Sequence, residues 1–307
     1  MKKNNSIMFH DFKLDNTSGT QGAISQNDFR KLIKTNGENK FSNPDVIQKT
    51  KHKNLEDESF ITFDDGLLSQ YDIALDLLSE TDKKGIFFVH SKPLIGEYDI
   101  HQVIRSFKNS SIFNNVDDFN EQLIKILLST FKTNEKDKIE KGYKQSAYLT
   151  EFDFYSDLDR KLRYIRDFVV SLQQYEDSVT ELLNIKKTSI SDLVKGTYIG
   201  KEKLKEINQL GHVIALHSHS HPTNLGSLKK EKQFKEIGHN YEILEEIIGD
   251  KPNAISYPSN SYNSETIEIL EHFNIGYGFR ADDNINLNPF ELSRVDATIA
   301  LRDIKNN

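Results

Sequence analysis

The chain of 307 residues is long enough for one large α/β domain or two medium ones. A net charge of −7 offers no basic face for phosphates, so nucleic acid is not an expected partner. The absence of cysteine excludes disulfides, thiolate metal sites and a cysteine nucleophile, and leaves His, Asp and Glu as the available metal ligands. No run reaches the ~18 apolar residues of a membrane span. The opening stretch "MKKNNSIMFHDFKLDNTSG" carries two lysines but no apolar core of signal-peptide length. A cytoplasmic location is the expectation, with a peripheral membrane contact left open.

In chain order, "SIMFHDF" (6–12) reads as a first strand ending in His10. "SQNDFRKLIKTNG" (25–37) reads as a short helix capped by Ser25 and stopped by Gly37, and the polar residues 38–58 as loop. "SFITF" (59–63) alternates and carries β-formers, so a strand is predicted. "SQYDIALDLLSETD" (69–82) places Ile73, Leu77 and Leu78 on one helical face, and "KGIFFVH" (84–90) is a second buried strand. A strand–helix–strand unit favours a parallel sheet.

Residues 97–200 change character, with almost no strand signal. Phe119, Leu123, Ile126 and Leu127 fit a helix. Tyr155, Leu158, Leu162, Ile165, Val169 and Leu172 step by three and four as one continuous helical stripe, whose plain reading is core packing. The block is predicted to be an all-helical insertion that covers the mouth of the fold, selects a long substrate or mediates oligomerisation. The strand–helix rhythm then resumes. "KEKLKEINQLG" (201–211) is a helix stopped at Gly211, and "HVIAL" (212–216) is a strand. In 227–249, Phe234, Ile237, Tyr241, Leu244 and Ile248 are expected to form a buried helical face ending at Gly249. A strand at "AISYP" (254–258), a helix at 264–273, a strand at 275–279 and a strand-like "ELSRVDATI" (291–299) complete the pass.

In parallel β/α folds, function gathers at the carboxyl ends of strands. "ITFDDG" (61–66) and "HVIALHSHSHP" (212–222) both end apolar strands in metal-capable side chains. Alternation along an extended segment should make Asp64 and Asp65 diverge rather than repel at contact. His217 and His221 are four apart, a spacing that brings two imidazoles to one side of a tight loop. A carboxylate from "FDDG" would complete three protein ligands with an open position, the arrangement of a catalytic metal site, and the second aspartate could then orient or deprotonate water. Each piece alone also reads as a turn or as unrelated surface histidines.

These segments resemble the polysaccharide deacetylases, carbohydrate esterase family 4. "TFDDG" (62–66) is similar to that family's first motif, "HSHSHP" (217–222) to its second with "GHVIAL" (211–216) as lead-in, and "ISYPSNSYN" (255–263) to its third. "KGIFFV" (84–89) is similar to its second strand, and "IMFHDF" (7–12) to an early strand with a terminal histidine. The resemblance covers roughly 1–96 and 201–299; the block 97–200 lies outside it. It implies a single domain over 1–307 with an α/β fold, a distorted, incomplete parallel β/α barrel interrupted at about 97–200. It implies a divalent metal, zinc foremost with cobalt or nickel as alternatives, held by Asp65, His217 and His221. It further implies Asp64 as general base and the Ser259 N–H as a donor to the oxyanion.

Three departures matter. The family arginine that pairs with the base is replaced by Ser256, the chain has no tryptophan, and "LSRVDAT" (292–298) has Arg294 and Asp296 where a general-acid histidine is usual. Arg294 stays protonated and makes a poor acid, but could bind an anionic substrate or stabilise Asp64. His10 is a substitute proton donor. The implied function is metal-dependent removal of an N-acetyl or other acyl group from a sugar or glycan precursor, in surface-polysaccharide biosynthesis. The alternatives are a non-catalytic, substrate-binding member of the fold and an amidase acting on another C–N bond.

Overall fold

The computed structural model describes residues 6–15, 22–36, 41–55, 57–98, 100–150, 155–194, 196–284, 286 and 288–306. In chain order come β1 (Ile7–Phe9), β2 (Phe12–Lys13), β3 (Ile24–Ser25), α1 (Gln26–Asn36), α2 (Asp45–Lys49) and β4 (Ile61–Phe63). A π-helical turn over Gln70–Ala74 runs into α3 (Leu75–Glu80), followed by β5 (Gly85–Val89). Then α4 (Ile100–Lys108), α5 (Val116–Leu127), α6 (Thr133–Ser146), α7 (Asp157–Phe168), α8 (Leu172–Lys186) and α9 (Ile190–Val194) follow without a strand. The chain closes with α10 (Lys201–Gln209), β6 (Val213–Leu216), α11 (Lys230–Ile248), β7 (Ala254–Ser256), α12 (Ser264–His272), β8 (Tyr277–Phe279), β9 (Val295–Asp296) and α13 (Ala297–Asn306).

Contacts divide the chain into two units, one of residues 1–97 and 198–307, the other of 98–197. In the first, seven strands form a sheet in the order β8-β7-β6-β5-β4-β1-β9, and every strand pair is parallel. The sheet curls into an incomplete β/α barrel. Leu292 bridges Phe279 at the β8 edge, while Val295 pairs with Ile7 at the opposite side, so a few residues of chain span the gap. This crossing needs Gly278, because a Cβ there would lie 2.2 Å from the Tyr257 hydroxyl and 2.5 Å from the Phe290 carbonyl oxygen.

Strands buried on both faces read as unbroken apolar runs, and these do: GIFFV and VIAL are buried throughout. Their side chains alternate between two cores. Phe63, Phe87, Val89, Ile214, Leu216 and Ile255 pack outward under the helices. Ile86, Phe88, Val213, Ala215, Ala254 and Phe279 fill the barrel interior. Each Val, Leu, Ile or Phe among them contributes roughly 1.5–3 kcal/mol on full burial. The alternation also fixes what comes next: the residue after an outward-facing Phe9, Phe63, Leu216 or Ile255 must turn inward at the strand end, and those residues are His10, Asp64, His217 and Ser256.

In the described part of 98–197 every element is helical, around its own core of Phe107, Phe113, Phe119, Leu123, Ile165 and Val179 among others. The predicted continuous stripe from Tyr155 to Leu172 is broken: α7 ends at Phe168, and Ser171 caps a new helix through a reciprocal bond with Gln174. A Ser-x-x-Gln capping box satisfies two end-of-helix N–H groups and overrides the apolar period. Leu172, at the first turn of α8, is consequently exposed.

Other expectations are also corrected. Residues 38–58, read as loop, contain α2, anchored by a fully buried Ile47. In α11 the buried apolar side chains are Ile237, Tyr241, Leu244 and Ile247; Phe234 is exposed, its ring tilted against those of His272 and Phe273. The strand-like 291–299 holds only two strand residues before α13 starts, where Asp296 Oδ1 accepts the Thr298 N–H. Ser25 does cap α1, accepting the Asp28 N–H at 3.1 Å; Gly37, its expected stop, lies outside the described residues. Among the described residues, no helix is long and apolar enough to cross a membrane.

Candidate metal centre and active site

The carboxyl ends of β4, β6 and β7 bring the sequence-distant groups together. Asp65 Oδ1 lies 3.4 Å from His217 Nε2 and 3.4 Å from His221 Nε2, and the two imidazole rings meet edge-on at 4.7 Å. Ligand atoms of all three residues fall within 4.8 Å of one another. The donor set suits a divalent cation. His217 Nδ1–H donates to the Ser256 carbonyl at 2.8 Å, which leaves the Nε2 lone pair facing Asp65. The His217 backbone N–H donates to Asn240 Oδ1, and Asn240 Nδ2 in turn holds the Val89 carbonyl, so one buried amide from α11 ties the ends of β5 and β6. Burial alone would lower the His217 pKa, but Asp64, Asp65 and the Ser256 carbonyl outweigh it and raise it.

Backbone strain concentrates here. Asp65, Ser218, His221, Ser259 and Asn260 all have positive φ, between 50° and 76°, in a region that non-glycine residues avoid. At Asp65 the turn is continued by Gly66, also at positive φ, where a Cβ would press to 2.9 Å on Val89.

Asp64 turns the other way, as strand alternation requires, and enters a different environment. Arg294 Nη1 donates to its Oδ1 at 2.6 Å and Arg294 Nη2 to its Oδ2 at 2.8 Å. Ser256 Oγ–H donates to Oδ2 at 2.9 Å while accepting from Arg294 Nη2 at 2.6 Å. The other donors of the guanidinium reach Thr62 Oγ1 and the Arg280 carbonyl, so all five N–H groups of this buried arginine are used. The cation also lies over the Phe88 and Phe279 rings of the barrel core. Burial pushes the Asp64 pKa up, but the charge and hydrogen bonds of Arg294, with His217 and His10, outweigh it and hold the carboxyl at about 2.

His10 stands at the end of β1, beside the end of β4, with its Nδ1 3.9 Å from Asp296 Oδ2. Ser259 follows Pro258 in a tight turn and is exposed. His219 does not join the metal cluster: it faces Ser91 Oγ at 3.0 Å and the His239 ring. His90, buried at the end of β5, sets its ring against those of His221 and Tyr198. Sequence reasoning missed His90, Asn240 and the clamp role of Ser256, which it had singled out only as the residue standing in place of an arginine.

Comparison with known proteins agrees with this architecture. Residues 160–278 match the family model described as polysaccharide deacetylase, a stretch that contains the HSHSHP and ISYPSNSYN segments and leaves out FDDG. Curated proteins yielded no significant match. Among solved structures, the chain is similar to the Streptococcus pyogenes deacetylase PplD in complex with acetate (TM-score 0.56, 14% identity, 98% of this chain and 96% of that one). It is similar to IcaB from Ammonifex degensii (TM-score 0.55, 14% identity, 98% of each chain). It is also similar to a de-N-acetylase from Aggregatibacter actinomycetemcomitans (TM-score 0.52, 14% identity, 99% of this chain and 98% of that one). At such identities the likeness is one of fold. The resemblance to the polysaccharide deacetylases read from the motifs is matched by the family model over residues 160–278, and the solved structures share the fold.

Proposed function

We propose that this chain is a metal-dependent carbohydrate N-deacetylase, acting on an N-acetylated sugar in glycan biosynthesis. The observation that carries the reading is the division of labour between adjacent aspartates: Asp65 shares a cluster with two imidazoles, and Asp64 sits in an arginine–serine clamp. Asp65, His217 and His221 would hold the cation, zinc or else cobalt or nickel. When bound there, it supplies Lewis-acid polarisation of the amide carbonyl and eases deprotonation of water.

The chain's own groups do the rest. Asp64, kept ionised by Arg294, orients the attacking water and takes its proton. The Ser259 N–H, the first available after Pro258, donates to the developing oxyanion. As the C–N bond breaks, His10 delivers a proton to the leaving nitrogen, with Asp296 orienting the imidazole. Acetate and a free amino sugar result. Arg294 on Asp64 favours turnover over a purely binding role, because it supplies the charge partner that Ser256 cannot.

The test is acetate release from N-acetylated amino-sugar oligomers by zinc-loaded protein, beside a panel of non-sugar acetamides. Release from the sugars alone supports the proposal. Release only from the non-sugars points to an amidase of another kind. Bound metal and sugar without product would identify a non-catalytic binding protein.

A further inference from the structure

The π-helical turn at Gln70–Ala74 interrupts an otherwise ordinary helix directly after the FDDG segment. Such turns are uncommon and cluster at functional sites. Its first residue, Gln70, is fully buried, and its side-chain Nε2 donates to two carbonyls at once: that of His10 at 2.7 Å and that of Asp64 at 2.5 Å. The two bonds span the ends of β1 and β4 at the two residues read above as proton donor and proton acceptor. Ser69, the preceding residue, reaches the same corner: its Oγ accepts the Phe12 N–H at 3.1 Å and bonds Asp11 Oδ1. Gln70 Oε1, by contrast, is buried without a hydrogen-bond partner among the described residues.

We infer that Gln70 is a positioning residue that sets the spacing of His10 and Asp64 across the substrate's amide by holding both their backbone carbonyls. The inference rests on the roles proposed for those two residues. A misplacement of about 1 Å at reacting groups is enough to cost one to two orders of magnitude in rate.

The experiment compares Gln70→Met, which keeps the volume and removes both donors, and the shorter Gln70→Asn, in the wild-type and His10→Gln backgrounds. In the wild-type background Gln70→Met should lower kcat by about tenfold or more, with KM and bound metal unchanged. In the His10→Gln background the same change should cost clearly less, because the part of its effect that runs through His10 is already lost. Amide exchange in residues 10–13 and 64–67 should quicken in Gln70→Met. Equal losses in both backgrounds, no loss, or unchanged exchange would overturn the inference. So would insolubility of both variants, which would make Gln70 a folding residue. If the wild-type protein itself releases no acetate, the functional reading fails, and the exchange data alone decide whether the staple exists.

Discussion

Arg294 grips both carboxylate oxygens of Asp64 from 230 positions away in the chain, and does so from the segment that closes the barrel. Ser256 joins both partners, donating its Oγ–H to Asp64 Oδ2 and accepting from Arg294 Nη2. The ion pair is fully buried and fully hydrogen-bonded, the condition under which such a pair is tolerated. Replacing Arg294 by alanine strands the carboxylate. The expected outcome is a loss of about 3–5 kcal/mol of stability and of most activity, read from urea midpoints and acetate release. Arg294→Lys should recover only part of both, because an ammonium cannot serve five acceptors in one plane. Burial, the largest single influence on Asp64, loses its main counterweight when the arginine is gone, so the acid limb of the pH–rate profile should move to higher pH. An unmoved limb would remove Asp64 as the base.

The three-ligand cluster predicts metal stoichiometry. Wild-type protein should hold about one divalent ion per chain. Asp65→Ala, His217→Ala and His221→Ala should each bring this close to zero. His219→Ala should leave it unchanged, since that ring faces Ser91. Elemental analysis distinguishes the four variants. Chelation should abolish acetate release, and zinc, cobalt or nickel should restore it.

His10 supplies the proton donor in the proposed reaction. His10→Gln should reduce kcat by roughly 10²–10⁴, the usual reach of a general acid, while metal content stays at the wild-type level. Asp296→Asn should give a smaller loss in the same direction, because it orients His10 without meeting the substrate. Activity of His10→Gln close to that of wild type would return the role of acid to another group.

His212, at the opposite end of β6, makes a separate prediction about stability. Its Nδ1 accepts the Gly85 N–H at 3.1 Å, so the folded state needs the neutral ring. Burial first, and then the Lys84 charge, lower its pKa from 6.5 to about 4. The folded value lies below the unfolded one, so the unfolded chain takes the proton first as pH falls. This contribution is whole above about pH 6.5 and is lost progressively down to about pH 4, to the extent of about 3 kcal/mol. Unfolding midpoints between pH 7.5 and 4.5 should fall accordingly in wild type. They should fall less in His212→Gln, whose amide oxygen can accept the same N–H without titrating.

Much of the molecule was legible from local pattern. Apolar runs such as GIFFV and VIAL announced strands, the strand–helix–strand rhythm announced a parallel sheet, and the loss of strand signal after residue 97 marked the helical block. The pattern failed where a local hydrogen bond overrode the apolar period. Ser171 cut the stripe predicted through Leu172, and Asp296 began a helix where strand formers continued. The sequence by itself determined the strand ends and, through the two-residue alternation of a strand, that Asp64 and Asp65 must face different surroundings. Only the tertiary structure decided what those surroundings are. Which cation meets Asp64, which carbonyl fixes the His217 tautomer and which amide ties His10 to Asp64 depend on chain crossings between segments tens to hundreds of residues apart. No local period encodes such crossings, because they follow from how the sheet curls and where the last strand closes it.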